Sequence, residues 1–505
     1  MTGKPLLIRG ARVLTMDAQN REWDEADILI EGSRISAIGP GLRDPAGAEI
    51  IEAKGMLAMP GLINAHVHSP ANFMRGTLDG LPLELFMLYE VPPLTERPPT
   101  KRAAYIRTLL GAIEMVKLGI TAVMDDAFFV PHPTPETIDG VMEAYRDAGM
   151  RATVALDQPN IVEYDKYPFL RDLLSEPLRR RMAEAPLAGA EDLLALYAHL
   201  IETWHGAADG RLAAAVSCSA PQRVTIPYFE ALSERSRALD LPFIVHMLET
   251  RLQRVFGQEK LGKSLVRYVH DLCLLDARMQ LIHAIWVDGA DMEIVARAGA
   301  TIAHNPVCNL KLGSGIMPFR RLRDHGIPIC LGTDEAVADD THNLWQAAKT
   351  AGLVHKIADP DYRTWPSAPE ILDCLFRGGA RAMRRKERIG ELATGAEADI
   401  ILLDLDTFAF TPLNDLRRQL VYCENGTSVR DVIVAGRIVV RGGQFTLLDE
   451  KAVRAEAREL QAEYRADFVA ADAAARELEP YYAEMYRRAV ATDVGMNRWA
   501  GPMMP

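Results

Sequence analysis

Two histidines one residue apart, His66 and His68, follow an apolar stretch of the sequence. In a β-strand alternate side chains point to the same face, so these two imidazoles would aim at one point. Imidazole is a common ligand of Zn²⁺ and related ions, and the pair therefore suggests a buried metal site. The pattern alone also fits two histidines with ordinary hydrogen bonds, so the interpretation depends on what else the chain supplies.

Three further polar residues stand at the ends of apolar stretches. His246 ends Leu-Pro-Phe-Ile-Val-His, His283 ends Met-Gln-Leu-Ile-His, and Asp334 follows Ile-Cys-Leu-Gly-Thr. In a (β/α)₈ barrel the carboxyl ends of the strands hold the active site. Together with His66 and His68 these residues predict a metal site suited to zinc or a similar divalent ion, with an open position for water. Such an ion lowers the pKa of water from about 15.7 toward about 7, which gives hydroxide at neutral pH.

The segment that must position these side chains alternates short apolar stretches with longer amphipathic ones. Helical periodicity is found at 101–118, 137–148, 226–238 and 290–298. Together with a strand near residue 60, the apolar stretches make eight strands, a count that fits a closed TIM barrel over residues 59–385. An open dinucleotide-binding sheet is less suitable because no GxGxxG follows the first strand. The other predicted strands are 121–124, 151–155, 212–216, 242–246, 279–283, 301–304 and 327–331.

Both ends of the chain have a different character from the barrel segment. Residues 1–58 and 386–445 are rich in short strand candidates, and we expect them to pair into one small β-sandwich domain. Residues 446–505 form a C-terminal extension that is helical in period until Pro480. Its last part carries Trp and Met residues, which predicts packing on another surface, such as a neighbouring subunit. The predicted fold class is therefore α/β, with a barrel, a small β domain and a helical extension.

Composition excludes several classes of protein. The chain has 505 residues, 49% apolar and 25% charged, with a net charge of −12, so nucleic acid is not an expected partner. No stretch is apolar enough to cross a membrane and no signal peptide is evident, which predicts a cytoplasmic protein. The six cysteines are scattered and form no CxxC pair, so neither a disulfide framework nor a cysteine-bound zinc is expected.

Five segments together resemble the amidohydrolase superfamily, most closely the branch of triazine hydrolases, S-adenosylhomocysteine deaminases and guanine or cytosine deaminases. They span roughly residues 5 to 442 with their flanking strands. The segments are Pro60-Gly-Leu-Ile-Asn-Ala-His-Val-His68, His246-Met-Leu-Glu249 with His283, His304-Asn-Pro-Val-Cys-Asn-Leu-Lys-Leu-Gly-Ser-Gly315, Leu331-Gly-Thr-Asp334 and Ile389-Gly-Glu-Leu-Ala-Thr-Gly-Ala-Glu-Ala-Asp399.

The resemblance implies a role for each of these polar residues. Asp334 would bind the metal and also take the proton of the attacking water. His283 would contact that water or the oxygen that develops at the attacked carbon, and Glu249 would give a proton to a ring nitrogen or leaving group. The family also leads us to expect a homo-oligomer, a dimer or larger. The metal ligands implied by the resemblance are His66, His68, His246 and Asp334.

The chain departs from its relatives at three places. Many relatives hold two metals bridged by a modified lysine on the fourth strand, but residues 213–221 contain no lysine, which favours one ion, Zn²⁺ first and Fe²⁺ second. Ser219 replaces a histidine of the nucleoside deaminases, which argues against adenosine-type substrates. Glu335 adds a carboxylate beside Asp334, and it either recognises a cationic or amine-bearing substrate or caps the following helix.

Several residues are candidates for contact with a small-molecule substrate. Phe86, Tyr89 and Phe128 could stack on a flat ring, although core packing accounts for such residues equally well. His304 and Asn305 could contact substrate or hold Asp334, and a buried structural role fits them as well. We therefore expect a cavity with an aromatic wall beside the metal.

These observations leave three functions open. The first is hydrolysis of a C–N bond that deaminates or dealkylaminates an aminated heterocycle. The second is hydrolysis of an open-chain urea, carbamate or amide, as in phenylurea-hydrolase-like and molinate-hydrolase-like relatives. The remote third is a non-catalytic metal-binding scaffold, which would have no need for Glu249 or His283.

Overall fold

The computed structural model describes residues 4–95 and 98–501. The strands within those ranges, in chain order, are β1 (Leu6–Leu14), β2 (Glu22–Glu31), β3 (Arg34–Gly39), β4 (Glu49–Glu52), β5 (Met56–Pro60), β6 (Leu62–Val67), β7 (Ile120–Phe128), β8 (Arg151–Asp157), β9 (Leu212–Ala214), β10 (Val216–Ser217), β11 (Phe243–Met247), β12 (Met279–His283), β13 (Thr301–His304), β14 (Ile329–Leu331), β15 (Ile400–Asp404), β16 (Val429–Val434), β17 (Arg437–Arg441) and β18 (Gln444–Phe445).

Helices follow most of the barrel strands. The α-helices of the same ranges are Leu83–Glu90, Lys101–Lys117, Pro135–Asp147, Leu170–Leu173, Glu176–Glu184, Ala190–Trp204, Ala207–Gly210, Ile226–Leu239, Arg251–Phe256, Leu265–Asp271, Gly289–Ala298, Pro306–Lys311, Phe319–Asp324, Leu344–Val354, Ala368–Asp373, Gly379–Ala382, Leu416–Tyr422 and Glu450–Ala491.

Strands β6 to β14 build a parallel barrel. The order β6-β7-β8-β9 continues as β10-β11-β12-β13-β14, and Ala215 joins β9 to β10 as one interrupted fourth strand. The Ala215 amide donates to the Val154 carbonyl at 2.8 Å, and the Val216 amide donates to the Pro242 carbonyl at 2.9 Å. At the other junction the Asp334 amide donates to the His66 carbonyl at 3.0 Å. The predicted (β/α)₈ fold is confirmed, with every strand end facing the same rim.

The two chain ends pair into one small sheet, as predicted. Among the described residues it has nine strands in the order β18-β17-β16-β15-β5-β1-β2-β3, with β4 beside β1. Its centre is the antiparallel pairing of β5 with β15, in which Pro60 lies opposite Ile400. Since β5 leads directly into β6, this sheet fixes the start of the strand that carries His66.

The helix Glu450–Ala491 crosses the barrel rim and contradicts one detail of the prediction. The helix does not end at Pro480 but continues through it for eleven further residues to Ala491. Proline removes one backbone hydrogen bond, yet Tyr482, Met485 and Ala489 are buried at 0–1% exposure. Burial of this apolar stripe outweighs the local cost of proline, which sequence periodicity alone did not reveal.

The described part of the tail packs on the barrel of its own chain. The Trp499 ring lies 5.0 Å from the Trp286 ring, edge to face. The Arg498 side chain donates to the Ile285 carbonyl at 2.9 Å, and the Ile316 amide donates to the Arg498 carbonyl at 2.7 Å. The described part of the tail therefore covers another surface, as expected, and that surface is the barrel of its own chain. None of the described helices combines the length and apolar character needed to span a membrane.

Candidate metal centre and active site

The predicted ligands converge at the carboxyl end of the barrel. One nitrogen each of His66, His68 and His246 lie within 4.8 Å of one another. The Asp334 Oδ1 atom lies 3.7 Å from His66 Nε2 and 3.6 Å from His68 Nε2. The sequence placed these four side chains on β6, β11 and the end of β14, and the barrel brings them to one point.

The donor set fits a divalent cation. Both ring nitrogens of His66 are buried and have no hydrogen-bond partner among the described residues. Burial, followed by the neighbouring imidazoles, holds the pKa of His66 well below its ordinary value, and burial lowers the pKa of His246 to about 3. Neutral imidazoles present lone pairs, and a buried nitrogen without a partner is costly unless a ligand occupies it. Three imidazole nitrogens and a carboxylate are suited to zinc or a similar ion.

Backbone carbonyls orient two of these imidazoles. His68 Nδ1 lies 2.5 Å from the Asp126 carbonyl, and His246 Nδ1 lies 2.9 Å from the Ser219 carbonyl. A carbonyl only accepts, so each Nδ1 must carry the proton and each Nε2 is left with its lone pair. Such outer contacts fix both the tautomer and the direction of a ligating histidine.

Asp334 is held by its neighbours in a strained backbone conformation. Its φ of 66° is left-handed, which costs about 1–3 kcal/mol and is typical of functional sites. Asn305 Nδ2 donates to Asp334 Oδ2 at 3.0 Å, and the Glu335 amide donates to Oδ1 at 2.9 Å. Burial alone would raise the pKa of Asp334, but the imidazoles of His283 and His68 outweigh burial and lower it. The carboxylate is therefore ionised and fixed in direction.

Glu249 and His283 stand beside this aspartate. His283 Nε2 lies 3.4 Å from Glu249 Oε2 and 3.6 Å from Asp334 Oδ2. His283 Nδ1 lies 2.9 Å from Asn309 Oδ1, an acceptor that fixes the ring. Burial, and then the charge of Asp334, raises the pKa of Glu249 well above its ordinary value. A carboxyl group whose pKa is raised keeps its proton to higher pH and can therefore act as a general acid.

A cavity of about 140 Å³ opens in front of these groups. Its wall includes His246, Glu249, Asp334 and Glu335, and Phe128 supplies an aromatic face 5.7 Å from the His68 ring. The size and the combination of polar and aromatic side chains suit a small molecule with a flat ring.

The other predicted substrate residues lie elsewhere or act indirectly. Asn305 holds Asp334, which is one of the two roles expected for it. Phe86 packs in an apolar cluster with Cys308, and the Tyr89 hydroxyl bonds Glu479 of the C-terminal helix in an adjoining cavity. His304 pairs with His355 behind the site, with 3.2 Å between their Nε2 atoms. For Phe86, Tyr89 and His304 the structure thus favours packing over contact with substrate.

Four charged residues near the centre were missed by the sequence analysis. Asp126 lies two residues before the end of β7 and Asp157 ends β8, and an oxygen of each lies within 4.8 Å of a His246 nitrogen. The strand-end rule that found His246 applies equally to them. Arg223 and Glu90 also line the cavity, but they lie on a short turn and a helix end, for which no strand signal exists.

The amidohydrolase family model matches residues 57–439, which is most of the chain. The chain belongs to the amidohydrolase family. This membership, together with the convergent His and Asp groups, makes the protein a hydrolase of carbon–nitrogen bonds other than peptide bonds. The reading as a non-catalytic scaffold loses its support.

Named relatives of this amidohydrolase cover nearly its whole length. It is 30% identical to a 5-methylthioadenosine/S-adenosylhomocysteine deaminase of Desulforudis audaxviator, over 90% of this chain and 97% of the relative. It is 31% identical to a 5'-deoxyadenosine deaminase of Methanocaldococcus jannaschii, over 86% and 95%. Among solved structures, a zinc complex of an atrazine chlorohydrolase from Arthrobacter aurescens has a TM-score of 0.78 at 26% identity, covering 90% of this chain and all of that one.

Proposed function

We propose that this amidohydrolase removes an amino or alkylamino group from an aminated heterocycle by hydrolysis. The observation that carries the proposal is Glu249, a buried carboxyl group whose pKa is raised and which lies beside His283 and Asp334. Hydrolytic deamination needs an acid to protonate the ring or the leaving nitrogen and a base to accept the proton of water. Burial raises the pKa of Glu249, and the neighbouring imidazoles lower that of Asp334, which are the directions that an acid and a base require.

The residues of this chain divide the proton transfers between them. Asp334 Oδ2 accepts a proton from the attacking water, and His283 Nε2, 3.6 Å from that carboxylate oxygen, contacts the same water. Glu249 gives its proton to the ring nitrogen beside the attacked carbon as the water oxygen bonds to that carbon, and the ring C=N double bond becomes a single bond. The proton held by Asp334 then passes to the amino nitrogen, and the bond from the attacked carbon to that nitrogen breaks to release ammonia or an alkylamine. The proton of the new hydroxyl returns to Glu249, and the ring keeps the oxygen as a carbonyl.

A single divalent ion would be held by His66, His68, His246 and Asp334. It would supply the acidification of water that makes water a nucleophile at neutral pH. We infer one ion because β9, Ala215 and β10 carry no lysine that could bridge a second. Zinc is the first candidate, since a similar solved structure holds zinc, and Fe²⁺ is the second.

The substrate class is tested by what is released. With zinc-loaded protein we expect ammonia or an alkylamine from at least one member of a panel of aminopurines, aminopyrimidines and aminotriazines. The open-chain alternative predicts an aniline or alkylamine from phenylureas, carbamates or amides instead. Release from the second panel alone contradicts the heterocycle proposal, and release from neither panel contradicts both.

The metal ligands can be tested by elemental analysis of paired histidine variants. His66→Asn is expected to lose the ion and to unfold at a lower temperature, because a bound ion at about a thousand times its Kd stabilises the fold by about 4 kcal/mol. His304→Asn is the control, since His304 is equally buried but pairs with His355. Equal metal content in the two variants would remove His66 from the site.

We also infer a small-molecule substrate, no nucleic-acid partner, a cytoplasmic location and a homo-oligomer. The net charge of −12 supports the absence of a nucleic-acid partner. Light scattering on the purified protein decides the oligomeric state directly.

A further inference from the structure

Two glutamates that the proposed reaction does not use face each other in the catalytic cavity. Glu90 ends the helix Leu83–Glu90, and Glu335 directly follows Asp334. Each is only 6% exposed, and both line the cavity in front of Glu249. The two carboxyl groups are close enough for each to act on the pKa of the other.

Nothing in the described part of the chain neutralises this pair. Among those residues, no Lys, Arg or His nitrogen lies within 4.0 Å of either carboxyl group, and Glu90 Oε1 has no hydrogen-bond partner. Glu163 of the same cavity differs in this respect, because it lies 2.6 Å from Lys166 Nζ. Two buried acids without a cation among the described residues are costly, and a cationic partner bound in the cavity would offset that cost.

Two other roles for Glu335 fit less well. The helix that follows starts at Leu344, and its cap is Asn343, which accepts from the Trp345 and Gln346 amides. Glu335 therefore does not cap this helix, and one of the two roles expected for Glu335 from the sequence is excluded. The atoms of His68 and Asp334 that approach Glu335 belong to the metal site already described. A second metal ion bound at this pair would therefore have only the two glutamates as ligands.

We propose that Glu90 and Glu335 bind a positively charged nitrogen group of the substrate, an amine, amidine or guanidine, and so select heterocycles that carry one. The inference rests on the proposed function, because the ligand is the molecule that Glu249 and Asp334 attack. A planar amidine or guanidine can donate one N–H to each of two carboxyl groups, as an arginine does in a forked ion pair. Phe128 in the same cavity wall offers a face to the attached ring.

The experiment compares benzamidine, a planar cation, with benzamide, its neutral counterpart of nearly the same shape. Calorimetric titration of the zinc-loaded protein at neutral pH measures both affinities without any turnover. We expect benzamidine to bind at least about tenfold more tightly, since hydrogen bonds between charged groups are worth about 1.5–3 kcal/mol. Equal binding of the two probes by the unmodified protein overturns the proposal.

Three glutamine variants identify the groups responsible. Glu90→Gln and Glu335→Gln are each expected to abolish the preference for benzamidine, and Glu163→Gln, a carboxylate of the same cavity with its own lysine, is expected to keep it. A preference that survives in both test variants overturns the proposal. So does a second zinc ion per chain that disappears in Glu335→Gln, since the pair would then be a metal site.

The outcomes separate this inference from the proposed function. If neither glutamine variant folds, the probe preference of the unmodified protein still decides the matter. If the protein prefers benzamidine but releases no amine from the heterocycle panel, the deaminase proposal is contradicted and the cation subsite stands. If the protein releases amine from the heterocycle panel but binds both probes equally, the cation subsite is contradicted and the deaminase proposal stands.

Discussion

Replacing Glu249 by glutamine is expected to lower kcat by about 10²- to 10⁴-fold while the metal content stays unchanged. Glutamine keeps the shape of the side chain but has no proton to give to the ring nitrogen. Because Glu249 lies 3.4 Å from His283 Nε2 and is not among the proposed ligands, the ion should remain in place. Steady-state kinetics and elemental analysis on the same preparation measure the two effects.

The pH profile distinguishes an acid from a residue that only positions its neighbours. A general acid must be protonated, so the rate falls as the pH rises through its pKa. Burial raises the pKa of Glu249, which extends the active range toward higher pH. The glutamine variant is expected to lose this alkaline decline as well as most of its rate.

Glu163→Gln is the matched control, because it removes a carboxylate of the same cavity that lies 2.6 Å from Lys166 and away from His283. We expect it to change kcat by less than about tenfold, the scale of 1.4 kcal/mol. A Glu249→Gln enzyme that is as active as this control would exclude Glu249 as the proton donor.

The convergence of His66, His246 and Asp334 could be predicted from the sequence because one geometric rule covers all of them. Parallel barrel strands bring their carboxyl ends to one rim, so a polar residue at the end of an apolar stretch is placed without knowledge of any distant contact. Asp126 and Asp157 obey the same rule and could have been found by applying it to every strand.

Residues on helices and loops could not be placed in this way. Tyr89 and Glu90 are neighbours in the helix Leu83–Glu90, and which of them faces the cavity depends on how that helix packs. The Tyr89 hydroxyl bonds Glu479, 390 residues further along the chain, and Glu90 is left to line the catalytic cavity. No local pattern contains that information, so Tyr89 was chosen as a substrate contact and Glu90 was missed.

Sequence periodicity also could not reveal how much burial against distant segments stabilises a helix. It predicted a helix end at Pro480, yet burial of Tyr482 and Met485 carries the helix past the proline. Propensity is a weak signal where packing against a distant segment supplies more free energy than the proline removes.

Replacing Arg151 by methionine is expected to lower the free energy of unfolding by about 3–5 kcal/mol. Arg151 begins β8 and is 1% exposed. Its Nε atom donates to Asp399 Oδ2 at 2.9 Å and one terminal nitrogen donates to Oδ1 at 3.1 Å, a forked pair. The same terminal nitrogen lies 3.4 Å from Glu397. Without Arg151 the Asp399 carboxylate stays buried with its charge only partly met by backbone amides.

This pair also joins the barrel to the small sheet. Asp399 directly precedes β15, and its carbonyl accepts the Gly61 amide at 3.0 Å, at the entry to the strand that carries His66. Loss of the guanidinium therefore weakens the attachment of β8 and, through Asp399, the start of β6. We expect the variant to lose bound metal at a lower denaturant concentration than the unmodified protein.

Arg34→Met is the matched control, because it removes a second arginine from the same acidic group. Arg34 lies 3.7 Å from Glu397, but its side chain is 54% exposed. Pairs with an exposed partner contribute about 0–1 kcal/mol, since water already solvates the Arg34 guanidinium. Urea unfolding followed by circular dichroism should therefore show a large shift for Arg151→Met and almost none for Arg34→Met. Equal shifts would mean that burial of the Arg151–Asp399 pair does not determine its contribution, and the role assigned to it in holding β6 would have to be abandoned.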